Sequence, residues 1–207
     1  MRFGLLESEE FPMSDLIRSF IAFDIEDEDI KKSISEVQRL LIKTGADLRL
    51  VKPENIHVTI KFLGEVTPFM LNRVYEVMKN ISFQPFDIEI KGLGAFPSPN
   101  YPRIIWVGIE RGSSELTSIF NTLEPSLRRL GFKSERRGFS PHLTIARVKS
   151  GRKREALIHL LKELAQREFG VIRARCLRLK KSILTPQGPI YSTLKEICPE
   201  DYTSLTP

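Results

Sequence analysis

Residues 57–63 read His57-Val-Thr-Ile-Lys-Phe-Leu, and residues 142–145 read His142-Leu-Thr-Ile, with the second histidine 85 residues after the first. Each run has the period-two alternation of a half-buried strand, whose successive side chains point to opposite faces. Alternation sets Val58, Ile60 and Phe62 on one side and His57, Thr59 and Lys61 on the other. In the second run it sets Leu143 and Ile145 inward and His142 and Thr144 outward.

Working outward, apolar periods and breakers predict strand 19–25, helix 28–43, strand 56–63, helix 68–80 and strand 86–91. The order then restarts: strand 103–110, helix 113–130, strand 142–149, helix 152–167, strand 171–179, and a closing strand near 190–197. The offset of 85 recurs for the helices after the His strands and for the next strands, at 86 and 171. Order and spacing, more than identity at each position, point to an internal duplication. Gly92-Leu-Gly-Ala-Phe-Pro-Ser-Pro-Asn-Tyr-Pro102 is dense in Gly and Pro and reads as the connection between halves. Strands separated by helices with one apolar stripe make an α+β fold whose sheets are covered on one face, leaving one His-Thr pair per half on an open face.

The chain has 207 residues, 41% hydrophobic and 28% charged, with a formal net charge of +6. That composition excludes disorder and collagen-like repeats. The charge is uneven: residues 1–36 hold four basic and ten acidic side chains, and residues 128–181 hold seventeen basic and four acidic. A cationic face of this kind suits an acidic partner such as nucleic acid, although solvated surface is the commoner use of such a run. Cys176 and Cys198 cannot build a disulfide framework and lack metal-knuckle spacing, so a reducing cytoplasm is expected. The first residues are acidic where a signal peptide needs an apolar core, and no apolar run is long enough to span a membrane. Residues 1–13 read as an N-terminal extension, 14–195 as a single domain (first-half elements 14–92, second-half elements 102–195), and 196–207 as a tail.

Two imidazoles converging on one phosphodiester suit acid–base cleavage, one neutral and one charged. Thr59 and Thr144, two residues on, would offer hydroxyls to the phosphate oxygens. No metal or other cofactor is required. The third histidine, His159, lies in a helical run without a Thr at that spacing and reads as structural.

At these residues the chain resembles the two-histidine (2H) phosphoesterases, and within them the bacterial and archaeal RNA 2′,3′-cyclic phosphodiesterases, also called 2′-5′ RNA ligases. The resemblance is carried by Ser19-Phe-Ile-Ala-Phe-Asp24, Val51-Lys-Pro-Glu-Asn-Ile-His-Val-Thr-Ile-Lys-Phe-Leu-Gly-Glu-Val66, Gly92-Leu-Gly-Ala-Phe-Pro97, Pro102-Arg-Ile-Ile-Trp-Val-Gly108, Phe139-Ser-Pro-His-Leu-Thr-Ile-Ala-Arg147 and Gly188-Pro-Ile-Tyr191. It implies a bilobal fold with pseudo-twofold symmetry and a cleft between two antiparallel sheets. It further implies His57 and His142 as the catalytic pair, Thr59, Thr144 and Arg147 on the phosphate, and hydrolysis of an RNA 2′,3′-cyclic phosphate to a 2′-phosphate. Which histidine is acid and which base stays open. Implied partners are RNA ends, tRNA fragments among them, with no membrane and a monomeric protein.

Strict alternation sets Arg147 opposite His142 and Thr144, so only a bulge or a strand end would aim it at the phosphate. The other reading pairs it with a carboxylate on the far face. Its equivalent in the first half is Phe62, so any role is asymmetric. Phe23 and Phe96 are expected in the core; Phe139 and Tyr191 lie in the matching motifs. Lys52, Lys61, Arg136 and Arg137 could line an RNA path. Alternatives to hydrolysis are ATP-independent 2′-5′ joining of tRNA halves at the same site, and a non-catalytic RNA or nucleotide-binding module. A metal-dependent nuclease lacks clustered ligands.

Overall fold

The computed structural model describes residues 16–135 and 138–199. The expected extension 1–13 and Arg136 and Arg137 lie outside them. The elements run β1 (Ile17–Asp24), α1 (Glu28–Lys43), β2 (Leu48–Leu50), a 3-10 turn (Pro53–Asn55), β3 (His57–Val66), α2 (Pro68–Lys79), β4 (Phe86–Ser98) and β5 (Tyr101–Ile109). They continue with α3 (Ser113–Arg129), β6 (His142–Val148), α4 (Arg154–Glu163), β7 (Glu168–Ala174), β8 (Leu177–Thr185) and β9 (Gly188–Ile197).

The helices form where an apolar stripe meets a cap. Asp27 accepts from the Ile30 N–H at the start of α1, and Thr67 does the same for Met70 at the start of α2, with Pro68 in its first turn. Ile30, Ile34, Val37 and Leu41 of α1 and Leu116, Ile119, Leu123 and Leu127 of α3 recur on one helical face and are buried. This stripe closes one face of the strands and leaves the other open.

All strand pairs are antiparallel, in the order β7-β4-β5-β6-β3-β1-β8-β9, with β2 added on β6. The order splits into two four-stranded halves, β3-β1-β8-β9 and β6-β5-β4-β7, joined among the described residues by a single bridge, Val58 opposite Leu143. The halves exchange strands. β4 follows the first helix pair yet pairs with β5, and β8 follows the second pair yet returns to β1. The chain segments 14–92 and 102–195 therefore do not coincide with the two halves of the sheet. The expected equivalence of 86 and 171 also dissolves: β7 is β4's neighbour, with Glu89 opposite Val171, and the topological counterpart of β4 is β8. The long helices cross over in the same way, α1 lying against β6 and β7 and α3 against β3.

Three sequence readings are corrected. The Gly/Pro-dense stretch 92–102, expected as the connection between halves, is strand on either side of a turn at residues 99–100, so the connection is a β4–β5 hairpin. Past Lys91 one side of β4 has no strand partner among the described residues, and on the other Pro97 stands opposite Pro102 of β5 beside a register shift, as suits proline at an edge or bulge. A Cβ on Gly94 would lie 2.3 Å from the Trp106 ring, so glycine lets the indole lie across the strand. Second, 171–179 is two strands broken at residues 175–176. Third, Cys176 and Cys198 are not free: they form a disulfide one step beyond the Leu177–Ile197 pair, across the open end of the β8–β9 hairpin. Their separation of 22 residues hid the pairing, because only the strand register brings them face to face. Residues 196–199 accordingly belong to this sheet edge.

Closing a loop of this size stabilises by about 3 kcal/mol through the unfolded chain. Reduction with dithiothreitol should therefore lower Tm by several degrees, and Cys176→Ser should bring Tm down to the reduced value and remove the sensitivity. Equal Tm for the oxidised and reduced wild type would contradict the pairing.

Candidate active site

The Val58–Leu143 bridge joins the middle residues of the two His-x-Thr motifs. Its antiparallel sense turns His57 toward Thr144 and Thr59 toward His142, so the four polar side chains share the open face on either side of the bridge. His57 and Thr59 are half-buried, as are His142 and Thr144.

Both rings are held alike. His57 Nδ1 lies 2.8 Å from the Asn55 carbonyl, and His142 Nδ1 lies 2.7 Å from the Ser140 carbonyl. A carbonyl only accepts, so Nδ1 carries the hydrogen in each ring, and each neutral imidazole keeps a bare Nε2. Asn55 is itself buried and tied to β9, its side-chain amide donating to the Pro189 carbonyl at 2.8 Å. Phe20 and Tyr191 pack on His57, with centroids 4.8 and 5.3 Å away, and Phe96 packs edge-on to His142 at 4.9 Å. This burial pushes the His57 pKa down to about 4, against the Asn55 hydrogen bond and the Asp24 charge; Lys180 and His142 lower it further. His142 is also lowered by burial, with the Ser140 hydrogen bond opposing.

The next residues depart from the sequence reading at two matched β-bulges. Between β5 and β6, Ile105 faces Ala146 and Trp106 faces Thr144, leaving Ile145 as the extra residue. Between β1 and β3, Ile21 faces Lys61 and Ala22 faces Thr59, leaving Ile60 extra. Each bulge turns two successive residues inward and flips those that follow, β3 shifting once more at Leu63, between the Phe20–Phe62 and Ser19–Gly64 pairs. Lys61 is therefore not on the His face: it is 5% exposed, whereas Phe62, expected in the core, is 64% exposed on the cleft side. By the same flip Arg147 joins Thr144 on the open face. Of its two possible positions, the bulge selects the cleft.

Each bulge is secured from the other half. The buried Gln38 of α1 donates through Nε2 to Ile145 O (2.9 Å) and Val51 O (2.7 Å). Lys61 reaches Glu124 of α3 at 2.7 Å and the Lys133 carbonyl in the segment after α3 at 2.8 Å. Sequence reasoning missed Gln38 and the function of Lys61, since nothing local marks either.

A cavity of about 460 Å³ opens on this face, walled by His57, Thr59, Thr144 and Arg147 among others. Lys52, Phe62 and Tyr191 also line it, as do Arg18, Arg49, Leu184 and Gln187, none of which the sequence singled out. His142 is not part of this wall; it meets the site through the bridge register and its field at His57. Phe23 is in the core against Phe83 and Phe86, Phe139 stacks on Phe120, and His159 is exposed on α4. Phe96 serves the site by packing on His142. Among the described residues, one cluster has three metal-capable groups, Cys176, Glu196 and Cys198, but its two sulfurs are bonded to each other.

The model of the LigT-like phosphoesterase family matches the chain twice, over residues 25–106 and 107–191. An RNA 2′,3′-cyclic phosphodiesterase of Aeropyrum pernix is 42% identical over 164 residues, 79% of this chain and 93% of that protein. One from Archaeoglobus fulgidus is 38% identical, covering 86% and 98%. In fold, a Thermus thermophilus crystal structure aligns with a TM-score of 0.72 and 22% identity over 88% of this chain and 97% of that one. Escherichia coli LigT complexed with 3′-AMP aligns with 0.71 and 21% over 88% and 98%.

Breaking the Lys61–Glu124 pair from one side leaves a buried charge alone. Lys61→Met should cost about 3–5 kcal/mol in urea unfolding, and Lys61→Met with Glu124→Leu should recover most of it. A loss below about 1 kcal/mol for the single variant would show that the pair does not hold β3.

Proposed function

Because the chain belongs to the LigT-like phosphoesterase family, we propose that it hydrolyses the 2′,3′-cyclic phosphate at the end of an RNA to a 2′-phosphate, with His57 and His142 as an acid–base pair. The observation that carries this is the pair of bare Nε2 atoms on either side of the Val58–Leu143 bridge, each fixed by a carbonyl on Nδ1. The relatives named RNA 2′,3′-cyclic phosphodiesterase support the substrate, and the 3′-AMP complex of E. coli LigT supports nucleotide binding on this fold.

His57, the more strongly depressed of the two, is neutral at ordinary pH and takes the proton from the attacking water. The new P–O bond forms as the P–O3′ bond breaks, His142 protonates O3′, and the phosphate stays on O2′. Thr59 and Thr144 hydroxyls donate to the non-bridging oxygens, and Arg147 adds a fixed positive charge to the same wall. The exposed Phe62 ring gives the terminal base a sequence-tolerant stacking face. The two imidazoles supply both proton transfers, so this reading routes no step through a metal. RNA as substrate fits a cytoplasmic protein, and no described helix is long and apolar enough to cross a membrane. A disulfide in that compartment is unusual outside hyperthermophiles.

With EDTA present, an RNA ending in 2′,3′-cyclic phosphate should be converted to the 2′-phosphate alone. His57→Ala and His142→Ala should each remove about a thousandfold or more of turnover, and Thr59→Ala or Thr144→Ala should cost less. Appearance of 3′-phosphate, or activity that survives either histidine variant, would refute the mechanism.

The pH dependence follows from the two lowered pKa values. The base must be deprotonated, so kcat/KM rises with pH through about 4. The acid must be protonated, so kcat/KM falls as pH climbs through the lowered His142 pKa, below 6.5. The optimum for kcat/KM should lie between these limits, and bound phosphate, an anion beside both rings, should move the kcat profile to higher pH. A profile flat from about pH 4 to 9 would contradict the pair.

A further inference from the structure

We infer that the cavity binds two phosphates of one RNA strand, and that Arg18 and Arg49 take the internal phosphodiester one nucleotide before the reacting end. This rests on reading the cavity as the site of an RNA cyclic phosphate. Four cations, Arg18, Arg49, Lys52 and Arg147, line it, and among the described residues no carboxylate does. Among the described residues none of the four has an ion-pair partner. A terminal cyclic phosphate brings one negative charge, which leaves most of this positive charge unanswered in a partly enclosed space.

The placement of the arginines narrows the reading. Arg49 stands directly opposite Arg147 in the β2–β6 pair. Side chains so paired share a face, with Cβ atoms about 4.5–5.5 Å apart, and like charges there are destabilising unless an anion lies between or beside them. Arg18 comes from the other half of the sheet, on β1 directly opposite Glu65 of β3, a carboxylate that does not line the cavity and, among the described residues, forms no ion pair with it. It and Arg147 both act on the Tyr191 phenol, whose rise on burial they oppose. The positive charge therefore spans both halves of the sheet, beyond the Thr59–Thr144 centre.

Thr144 and Arg147 are three residues apart, about 10 Å along an ideal strand and somewhat less across the bulge. A volume of about 460 Å³ is far more than one phosphate needs and falls within the usual size of small-molecule and cofactor sites. A second phosphate on the same strand answers both the charge and the length.

The test uses three substrates: adenosine 2′,3′-cyclic phosphate, the ApA dinucleotide with the same terminus, and that dinucleotide with its internal linkage replaced by a neutral methylphosphonate. The wild type should prefer the charged dinucleotide over the mononucleotide by about tenfold or more in kcat/KM, and the methylphosphonate should lose most of that preference. Arg18→Gln and Arg49→Gln should each raise KM for the charged dinucleotide several-fold, keep mononucleotide turnover within about twofold, and no longer distinguish the two linkages. A wild type blind to the linkage charge, or variants that impair mononucleotide and dinucleotide equally, would overturn the second subsite. If the variants lose only inhibition by tripolyphosphate, the arginines serve a free polyphosphate and the assignment to the RNA strand is overturned. Failure of the wild type to turn over any of the three would overturn the reading of the active site itself, and this inference with it.

Discussion

One backbone pair, Val58 opposite Leu143, is the joint on which the molecule depends. Among the described residues it is the single strand bridge between two otherwise separate halves of the sheet, and the residues it pairs are the centres of both His-x-Thr motifs. Register in a sheet with one buried face is strongly specified, because a slip of one residue exchanges the faces. Val58 and Leu143 are both fully buried, so the same apolar contact that fastens the halves also commits His57, Thr59, His142 and Thr144 to the open side. The placement of the two His-x-Thr motifs and the joining of the halves are thus one constraint.

Around that joint each half is braced by the other. β4 and β8 are exchanged, α1 and α3 cross to the opposite strands, and the bulges behind the motifs are held by Gln38 in one case and the Lys61–Glu124 pair in the other. Exchange of this kind makes neither half complete alone, so a relative displacement of the two histidines has to break buried contacts. The chemistry departs from the symmetry at one pair of positions. Phe62 and Arg147 occupy matching places after the bulges, so equivalent positions of one duplicated scaffold present an aromatic ring to the cavity from one half and a guanidinium from the other.

Much of this is legible from sequence. Helix 28–43 has its observed ends in the sequence reading, because Asp27 and the stripe of Ile30, Ile34, Val37 and Leu41 mark them locally. The His-Thr faces follow correctly because strict alternation holds from 57 to 60 and from 142 to 145. Beyond that the period fails: a bulge adds one residue without any composition signal, so Lys61, Phe62 and Arg147 cannot be placed by counting. The exchange of β4 and β8, the hairpin through Gly92–Pro102 and the Cys176–Cys198 bond all depend on which distant strands pair, and hydrophobic periodicity does not report pairing partners. The charge lining the cavity is equally hidden, since Arg18, Arg49 and Arg147 lie far apart in the chain and meet only through β1, β2 and β6.

In the proposed mechanism both histidines act on one phosphorus from opposite sides. A crystal structure with orthovanadate and a nucleoside bound as a transition-state mimic tests it most directly. Vanadium should lie between the two rings, with His57 Nε2 and His142 Nε2 each within about 3 Å of a different vanadate oxygen and both threonine hydroxyls on the remaining oxygens. Vanadate bound to one histidine alone, or bound away from the Val58–Leu143 crossing, would contradict it.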